Sequence, residues 1–389
     1  MKNVVFITSR FPFPLDKGDK LRAYYQLREM SKTCEIHLIS ISREKVYPEQ
    51  LEELNKFCKS ISVYSLSFFQ SFLGVFWALF RGKPFQVGLF YNWGVKKKIA
   101  KRIKAIQPNH IYCQLIRAAE YAKDEFTIPK TIDFMDVLSK GIERRISSSP
   151  FYLKRLLEIE AERLKIYENI MFEYFDHHSI ISSQDQELIY HTSREKIAII
   201  PNGIDTDFFS PSVKLEKKFN FLFNGNMQYQ PNVTSALYIA KKIMPLVWES
   251  HPAANLLISG TSPTQEVKNL ENDKIVVSGW MDDIRDAYNS AEIFIAPMQI
   301  GTGLQNKLLE AMAMNMPCVT SKLANNALKA THNETILIGK NKEEYAKMMC
   351  ELLDNKAKRE EIGRNGKEFV SSNFDWESTT KKLLTTMGL

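Results

Sequence analysis

The sequence predicts an α/β protein with two domains, and three observations support this. Short apolar runs typical of buried parallel strands alternate with helix-forming segments along the chain. The length of 389 residues is sufficient for two domains that each have their own core. A strand, a glycine turn and a helix follow one another in both halves, first at Val4–Thr8 and again at Ile293–Ala296. We therefore expect two parallel sheets, each covered by helices.

The composition is that of a globular protein from a reducing compartment. Apolar residues make up 44% and charged residues 25% of the chain. The five cysteines are scattered and form no CxxC pair, so we expect neither a disulfide framework nor a zinc site. The start MKNVVFITS is interpreted as a strand and not as a signal peptide, because its apolar run is short. We expect a cytoplasmic protein. Despite the net charge of +7, no sequence motif selects nucleic acid as a partner.

The loop after the first strand is a candidate ligand loop. It leads through a glycine into the helical segment LRAYYQLREM, as phosphate-binding turns do, but it lacks the pattern G-x-G-x-x-G. A solvated basic turn is the alternative interpretation. Its candidate residues are Lys17, Gly18 and Lys20.

A second candidate position in the first half is the end of the predicted strand Lys130–Phe134. Two acidic residues, Asp133 and Asp136, lie three positions apart at its carboxyl end. Open α/β sheets bind their ligands at this edge. Asp136 is interpreted either as a catalytic residue or as a helix cap.

The segment Ser60–Phe80 has 21 residues without a charge, which raises the question of a membrane helix. Seven of its residues are serine, glutamine or glycine, so we divide it into a strand, Ile61–Leu66, and an amphipathic helix, Phe68–Phe80. The basic run Lys96–Lys104 follows shortly after. Aromatic and basic segments together suit a peripheral contact with an anionic membrane. A core helix and a solvated helix face are the alternatives.

The second half is organised around the segment from Glu292 to Ser321. A buried strand leads into Gly301-Thr302-Gly303, and a helix from Leu304 to about Asn315 is stopped by Pro317. Such a turn aims backbone N–H groups and the positive end of the helix dipole at a ligand. Lys307 and Glu310 follow on one helix face and suit a nucleotide, with Lys307 at the diphosphate and Glu310 at the ribose diol. An ordinary surface ion pair is the alternative.

The stretch GTGLQNKLLEAMAMNMPCV resembles the donor-site signature of retaining glycosyltransferases of family 4, which use nucleotide sugars and have the GT-B architecture. The most similar group is the sugar transferases associated with exopolysaccharide export, and the resemblance covers nearly the whole chain. It implies two Rossmann-like domains that face a cleft. Their expected bounds are 1–210 for the acceptor domain, 211–372 for the donor domain and 373–389 for a helix that crosses back to the first domain.

The resemblance also implies site residues in both domains. In the second domain, the turn after strand Phe219–Phe223 and the segment GWMDDIRDAY contact the donor, and Trp280 either stacks there or plugs the sheet edge. Two departures stand out, because Thr302 replaces a hexose-binding Glu, and Asn226 and Gln230 replace an Arg/Lys pair. The implied donor-site residues are Gly225, Asn226, Gly279, Trp280, Gly301, Thr302, Gly303, Gln305, Asn306 and Glu310, and the implied catalytic residues are Lys307, Asp133 and Asp136.

The implied activity is hexosyl transfer with retention, from a nucleoside-diphosphate sugar to a glycan or lipid-linked acceptor, in synthesis of cell-surface polysaccharide. The acidic pair Asp205 and Asp207 is interpreted as turn-capping and not as a metal site, so no metal or other cofactor is expected. A same-fold nucleotide-sugar epimerase and a non-catalytic sugar-nucleotide-binding subunit remain as alternatives.

Overall fold

A computed structural model describes residues 1–146, 149–211, 217–300 and 303–389. The chain forms two compact units, Met1–Pro201 with Trp376–Leu389, and Asn202–Asp375. The first division lies before the predicted position 210, because Ile204 belongs to the core of the second unit. Its N–H donates to the carbonyl oxygen of Phe374 over 2.7 Å. Residues 212–216, at the start of the predicted donor domain, lie outside the described part of the chain.

The first unit contains a parallel sheet of seven strands in the order β3-β2-β1-β4-β5-β6-β7. The order reverses between β1 and β4, so the loops that follow these strands diverge at this point. The strands are β1 (Lys2–Thr8), β2 (Cys34–Ser42), β3 (Ser60–Ser65), β4 (His110–Gln114), β5 (Lys130–Asp133), β6 (His177–Ile180) and β7 (Ala198–Ile199).

Helices cover both faces of this sheet, as the alternation along β1 requires. Val5 and Ile7 pack into one hydrophobic cluster, while Val4 and Phe6 pack into another. The helices are α1 (Gly18–Met30), α2 (Pro48–Asn55), α3 (Phe68–Phe80), α4 (Phe85–Gly88), α5 (Trp93–Ile106), α6 (Leu138–Ile146), α7 (Phe151–Tyr174) and α8 (Ser183–Leu188), with 3₁₀ turns at Ile116–Tyr121 and Arg194–Lys196.

The second unit contains a parallel sheet of six strands in the order β10-β9-β8-β11-β12-β13. Its order reverses between β8 and β11. The strands are β8 (Phe219–Asn224), β9 (Leu256–Ser259), β10 (Ile275–Gly279), β11 (Ala291–Ala296), β12 (Cys318–Ser321) and β13 (Leu337–Gly339). The helices are α9 (Gln230–Tyr238), α10 (Met244–Ser250), α11 (Gln265–Lys268), α12 (Ile284–Ser290), α13 (Asn306–Ala313), α14 (Lys322–Leu328), α15 (Lys342–Asp354) and α16 (Lys356–Asn373), with a π turn at Ile239–Ile243.

The last helix, α17 (Trp376–Thr386), belongs to the first unit. Its first residue, Trp376, is 2% exposed and stacks on Tyr25 of α1 with ring centroids 5.0 Å apart. Leu383 of α17 joins the cluster that contains Val4 and Phe6. The C-terminal segment is therefore a structural part of the first unit. Among the residues that the structure describes, no helix combines the length and apolar character needed to cross a membrane.

A buried ion pair lies at the carboxyl end of β5. Arg22 of α1 donates from Nε to Oδ2 of Asp133 over 2.6 Å, and both side chains are fully buried. The hydroxyls of Tyr112 and Ser179 also donate to this carboxylate, over 2.8 and 3.0 Å. These bonds tie α1 to the centre of the first sheet.

Removal of one charge from this pair is expected to destabilise the first unit strongly. Asp133→Asn leaves Arg22 buried without its counter-charge, which costs about 3–5 kcal/mol of unfolding free energy. Urea unfolding followed by circular dichroism measures the loss.

The double variant Arg22→Met/Asp133→Asn is the matched control, because it removes both charges and retains an acceptor for Ser179 and Tyr112. It is expected to recover most of the lost stability. A single variant as stable as the wild type contradicts the structural importance of the pair.

Candidate functional site

The candidate site of the second unit lies at the carboxyl ends of its strands, where the strand order reverses. The turn after β8 begins at Gly225, and the helix α13 follows the loop after β11. Parallel sheets bind ligands at such reversal points because the two loops leave a recess between them. Of the predicted residues, Gly301 and Thr302 lie outside the described part of the chain.

Lys307 of α13 reaches the turn after β8. Its ammonium donates to Oδ1 of Asn232 over 2.6 Å and lies 4.6 Å from the centre of the Phe223 ring. Asn232 in turn donates from its side chain to the carbonyl oxygen of Asn226 over 2.9 Å. Loss of hydration lowers the pKa of Lys307 to about 7, although the charge of Glu310 acts in the opposite direction.

Glycine is needed at the turn that Lys307 approaches. A Cβ atom on Gly225 would lie 2.7 Å from the Lys307 ammonium and 2.7 Å from Nδ2 of Asn232. A Cβ atom on Gly260, the residue after β9, would lie only 1.9 Å from the Gly225 carbonyl oxygen. The backbone therefore comes close to the lysine at a point where no side chain fits.

Glu310 lies one turn after Lys307 and is oriented by a buried tyrosine. Tyr288 of α12 donates its hydroxyl proton to Oε2 of Glu310 over 2.7 Å. The side-chain amide of Asn224 donates to the Tyr288 oxygen, also over 2.7 Å. Loss of hydration raises the pKa of Glu310, while the bond from Tyr288 and the charge of Lys307 oppose this rise. One carboxylate oxygen is thus fixed by the protein, and the other is oriented by the same bond.

The remaining described residues of the predicted donor site lie at the start of α13 and at the end of β10. Gln305 immediately precedes α13, which begins at Asn306, two residues later than predicted. Gly303 and Gly279 have positive φ angles of 87° and 70°. Trp280 is 68% exposed, so it does not plug the sheet edge. An aromatic face at the end of β10 is therefore available for stacking.

In the first unit, the predicted cleft lysines are paired with a carboxylate. Lys17 donates to Glu44 over 2.9 Å, and Lys20 lies 3.2 Å from the same carboxylate and 3.0 Å from that of Asp16. The two bonds from lysine lower the pKa of Glu44, with Lys17 the larger contributor. Gly18 is the first residue of α1. The loop is therefore less positive than its sequence suggests.

The two acidic residues near β5 have different environments. Asp133 is held by Arg22 in the core, so the structure corrects its predicted catalytic role to a structural one. Asp136 is exposed to solvent. The N-terminus of α6 is capped instead by Glu168, which accepts from the backbone N–H of Ser139 over 3.0 Å.

Several residues of these networks were absent from the sequence-based prediction. Arg22, Glu44, Asn224, Asn232 and Tyr288 each act through a partner that is distant along the chain. Lys307 and Asn232, for example, are 75 positions apart. A single sequence carries no local signal for such pairs.

Comparisons with known proteins show which family, relatives and solved structures this chain resembles. Residues 218–355 match the family described as "Glycosyl transferases group 1". The chain is 24% identical over 396 residues to the "Uncharacterized 44.6 kDa protein in cps region" of Klebsiella pneumoniae, with 96% of this chain and 97% of that protein covered. It is 26% identical over 163 residues to the Escherichia coli "UDP-Gal:alpha-D-GlcNAc-diphosphoundecaprenol alpha-1,3-galactosyltransferase", with 37% and 41% covered.

Among solved structures, the chain is similar to Anabaena HepE in complex with UDP and glucose. The TM-score is 0.69 at 13% identity, and the similarity covers 100% of both chains. At this low sequence identity, the similarity indicates a shared fold. Residues 218–355 therefore match a glycosyl transferases group 1 domain, and the α/β fold of the chain, with its two parallel sheets, is that of GT-B glycosyltransferases.

Proposed function

We propose that this protein is a glycosyltransferase that moves a hexose from a nucleoside-diphosphate sugar to a glycan or lipid-linked acceptor, with retention. The observation that carries the proposal is the placement of Lys307 against Gly225, with Glu310 one turn further along α13. A poorly hydrated cation beside a glycine turn suits a diphosphate, and an oriented carboxylate suits a ribose diol.

The proposed chemistry depends on stabilising the departing diphosphate. Negative charge grows on this group as the bond to the sugar breaks, so a cation and N–H dipoles in a poorly hydrated recess lower the barrier. Lys307 and the N-terminus of α13 supply them, and Glu310 holds the ribose. Asp136 is the remaining acid that we assign to the sugar and acceptor side. We propose that no bound metal is required.

The proposed setting is synthesis of cell-surface polysaccharide at the cytoplasmic face of the membrane. Two relatives support this, because one is named for a cps region and the other for a lipid-diphosphate acceptor. An epimerase needs acids that transfer protons, and Asp133 and Asp136 are the candidates. The epimerase alternative is weakened, since Asp133 is paired with Arg22. A non-catalytic binding subunit is a second candidate, favoured by the pairing of Lys17 and Lys20 with Glu44. An assay with labelled donor and membranes distinguishes a transferase from a binding subunit, because only a transferase moves the label to an acceptor.

Glu310→Ala is expected to weaken binding of a nucleoside diphosphate. A hydrogen bond to a charged group contributes roughly 1.5–3 kcal/mol, so the dissociation constant should rise about 10- to 150-fold. Calorimetric titration with UDP and GDP measures the change.

Tyr288→Phe tests the orientation of the carboxylate and should give a smaller loss, because Glu310 remains present. Glu271→Ala removes an exposed carboxylate of the same unit and serves as the matched control. Unchanged nucleotide affinity in a folded Glu310→Ala protein would exclude the ribose assignment.

Nucleotide binding is expected to be accompanied by proton uptake at pH 8. The pKa of Lys307 is about 7 without ligand, so most of the lysine is neutral at pH 8. A diphosphate favours the charged form, and uptake should approach about one proton per nucleotide. Affinity should therefore fall as the pH rises above 7. Titrations in HEPES and in Tris, which differ in ionisation enthalpy, report the number of protons.

Lys307→Met is the control for this measurement and should bind without proton uptake. It should also reduce turnover more than affinity, since the leaving charge grows only during the reaction. Equal proton uptake in the wild type and in Lys307→Met would assign the proton to another group.

Activity is expected to persist in EDTA. The one acidic pair that resembles a metal motif has a structural use, because Oδ1 of Asp205 accepts the backbone N–H of Phe208 over 3.0 Å. Transfer assays with and without chelator measure the effect. Complete loss of activity that manganese restores would show that the diphosphate needs a metal ion.

A further inference from the structure

Helix α3 presents an apolar face to solvent. Phe68 is 83% exposed and Phe80, at the other end of the helix, is 72% exposed. Large exposed apolar patches of this kind mark contact surfaces. Seven large apolar side chains of α3 are exposed: Phe68, Phe69, Phe72, Leu73, Phe76, Leu79 and Phe80.

The opposite face of α3 consists of small residues that pack directly on backbone. A Cβ atom on Gly74 would lie 2.1 Å from the carbonyl oxygen of Gly88 in α4. A Cβ atom on Gly88 would lie 2.7 Å from the Cβ of Ala78. Because this contact admits no larger residue, the bulky side chains face outward in the folded protein. The core-helix interpretation of Phe68–Phe80 is therefore wrong.

The charged residues in the part of the chain that contains α3 are all basic. Residues 54–119 contain eleven of the 52 basic residues and none of the 45 acidic ones. The rest of the chain therefore has more acidic than basic residues. On α5, four lysines are exposed: Lys97, Lys98, Lys101 and Lys104.

Helix α5 begins beside α3. Trp77 of α3 stacks on Tyr91 with ring centroids 3.9 Å apart, and α5 starts two residues after Tyr91. At the first residue of α5, Trp93 is 63% exposed. The ammonium of Lys97 lies 3.5 Å from the centre of its ring. Exposed aromatic residues and lysines thus occur together at the junction of the two helices.

We propose that α3 docks on an anionic phospholipid membrane and lies in its interface. A helix of 13 residues is roughly 20 Å long, too short to span a bilayer but suited to lie parallel to its surface. The phenylalanine face enters the boundary of the acyl chains, and the α5 lysines meet the phosphate groups. A lipid surface fits better than an acidic protein, because the apolar face is uniform and contains no charge. The inference deepens the proposed function, and it rests on that function where it brings the enzyme to a lipid-linked acceptor.

Vesicle flotation of the full chain tests the proposal. Wild type should float with vesicles of phosphatidylglycerol and phosphatidylethanolamine and remain unbound with phosphatidylcholine alone. Phe72→Ser/Phe76→Ser should lower the partition coefficient on the order of 10- to 100-fold, because two half-exposed rings no longer enter lipid. Phe126→Ser is the matched control, since Phe126 is 74% exposed in the same unit but lies outside α3.

A second variant tests the charged part of the surface. Each lysine near an anionic surface strengthens attachment, so Lys98→Gln/Lys101→Gln should lower the partition coefficient roughly tenfold or more. Wild-type binding should also decrease as salt rises. These changes lie outside the nucleotide site, so calorimetric titration of UDP should be unaffected in every variant.

Three flotation results overturn the proposal. They are no flotation of the wild type, equal flotation of Phe72→Ser/Phe76→Ser, and equal flotation with neutral vesicles. A lipid-free dimer that the phenylalanine variant dissociates would show instead that a second copy covers α3, and this also overturns it. A protein that floats but binds no nucleotide would refute the proposed function alone.

Discussion

The candidate site depends on the close approach of two backbone turns at the carboxyl ends of β8 and β9. The carbonyl oxygen of Gly225 lies where a Cβ atom of Gly260 would be, and the ammonium of Lys307 lies next to Gly225. The site therefore depends on glycine at positions 225 and 260 as well as on the lysine. A single methyl group at Gly225 would displace either Asn232 or the ammonium, since packed interiors have no spare volume for it.

This constraint also determines where positive charge is available. Lys307 contacts an amide and an aromatic ring, and its low pKa of about 7 reflects poor hydration. The lysines of the first-unit loop are different, because Glu44 accepts from both Lys17 and Lys20. A lysine that is already paired with a carboxylate gains little from a new anion, whereas a poorly hydrated lysine bonded to a neutral amide gains much. The balance of charge therefore favours α13 over the first-unit loop as the proposed diphosphate site.

The α/β order of the fold was predictable because strands and helices have local patterns. The bounds of α3 and the helical spacing of Lys307 and Glu310 were likewise available from the sequence. The partners that orient these side chains could not be predicted from the sequence. Tyr288 holds Glu310 from 22 positions away, and Arg22 neutralises Asp133 from 111 positions away. Such pairs arise only when the sheet brings distant segments together, so Asp133 resembled a catalytic acid until its partner was known.

The exposed face of α3 has a rigid support, which distinguishes it from a poorly packed surface. Glu160 of α7 accepts from the backbone N–H groups of Phe85 and Gln86 over 2.7 and 2.9 Å, and so fixes the start of α4. Gly88 at the end of α4 then receives Gly74 of α3 in direct backbone contact. Because α3 is already ordered, docking incurs little conformational entropy cost. A preformed apolar face beside a strongly basic helix is therefore best explained as a surface that the protein uses.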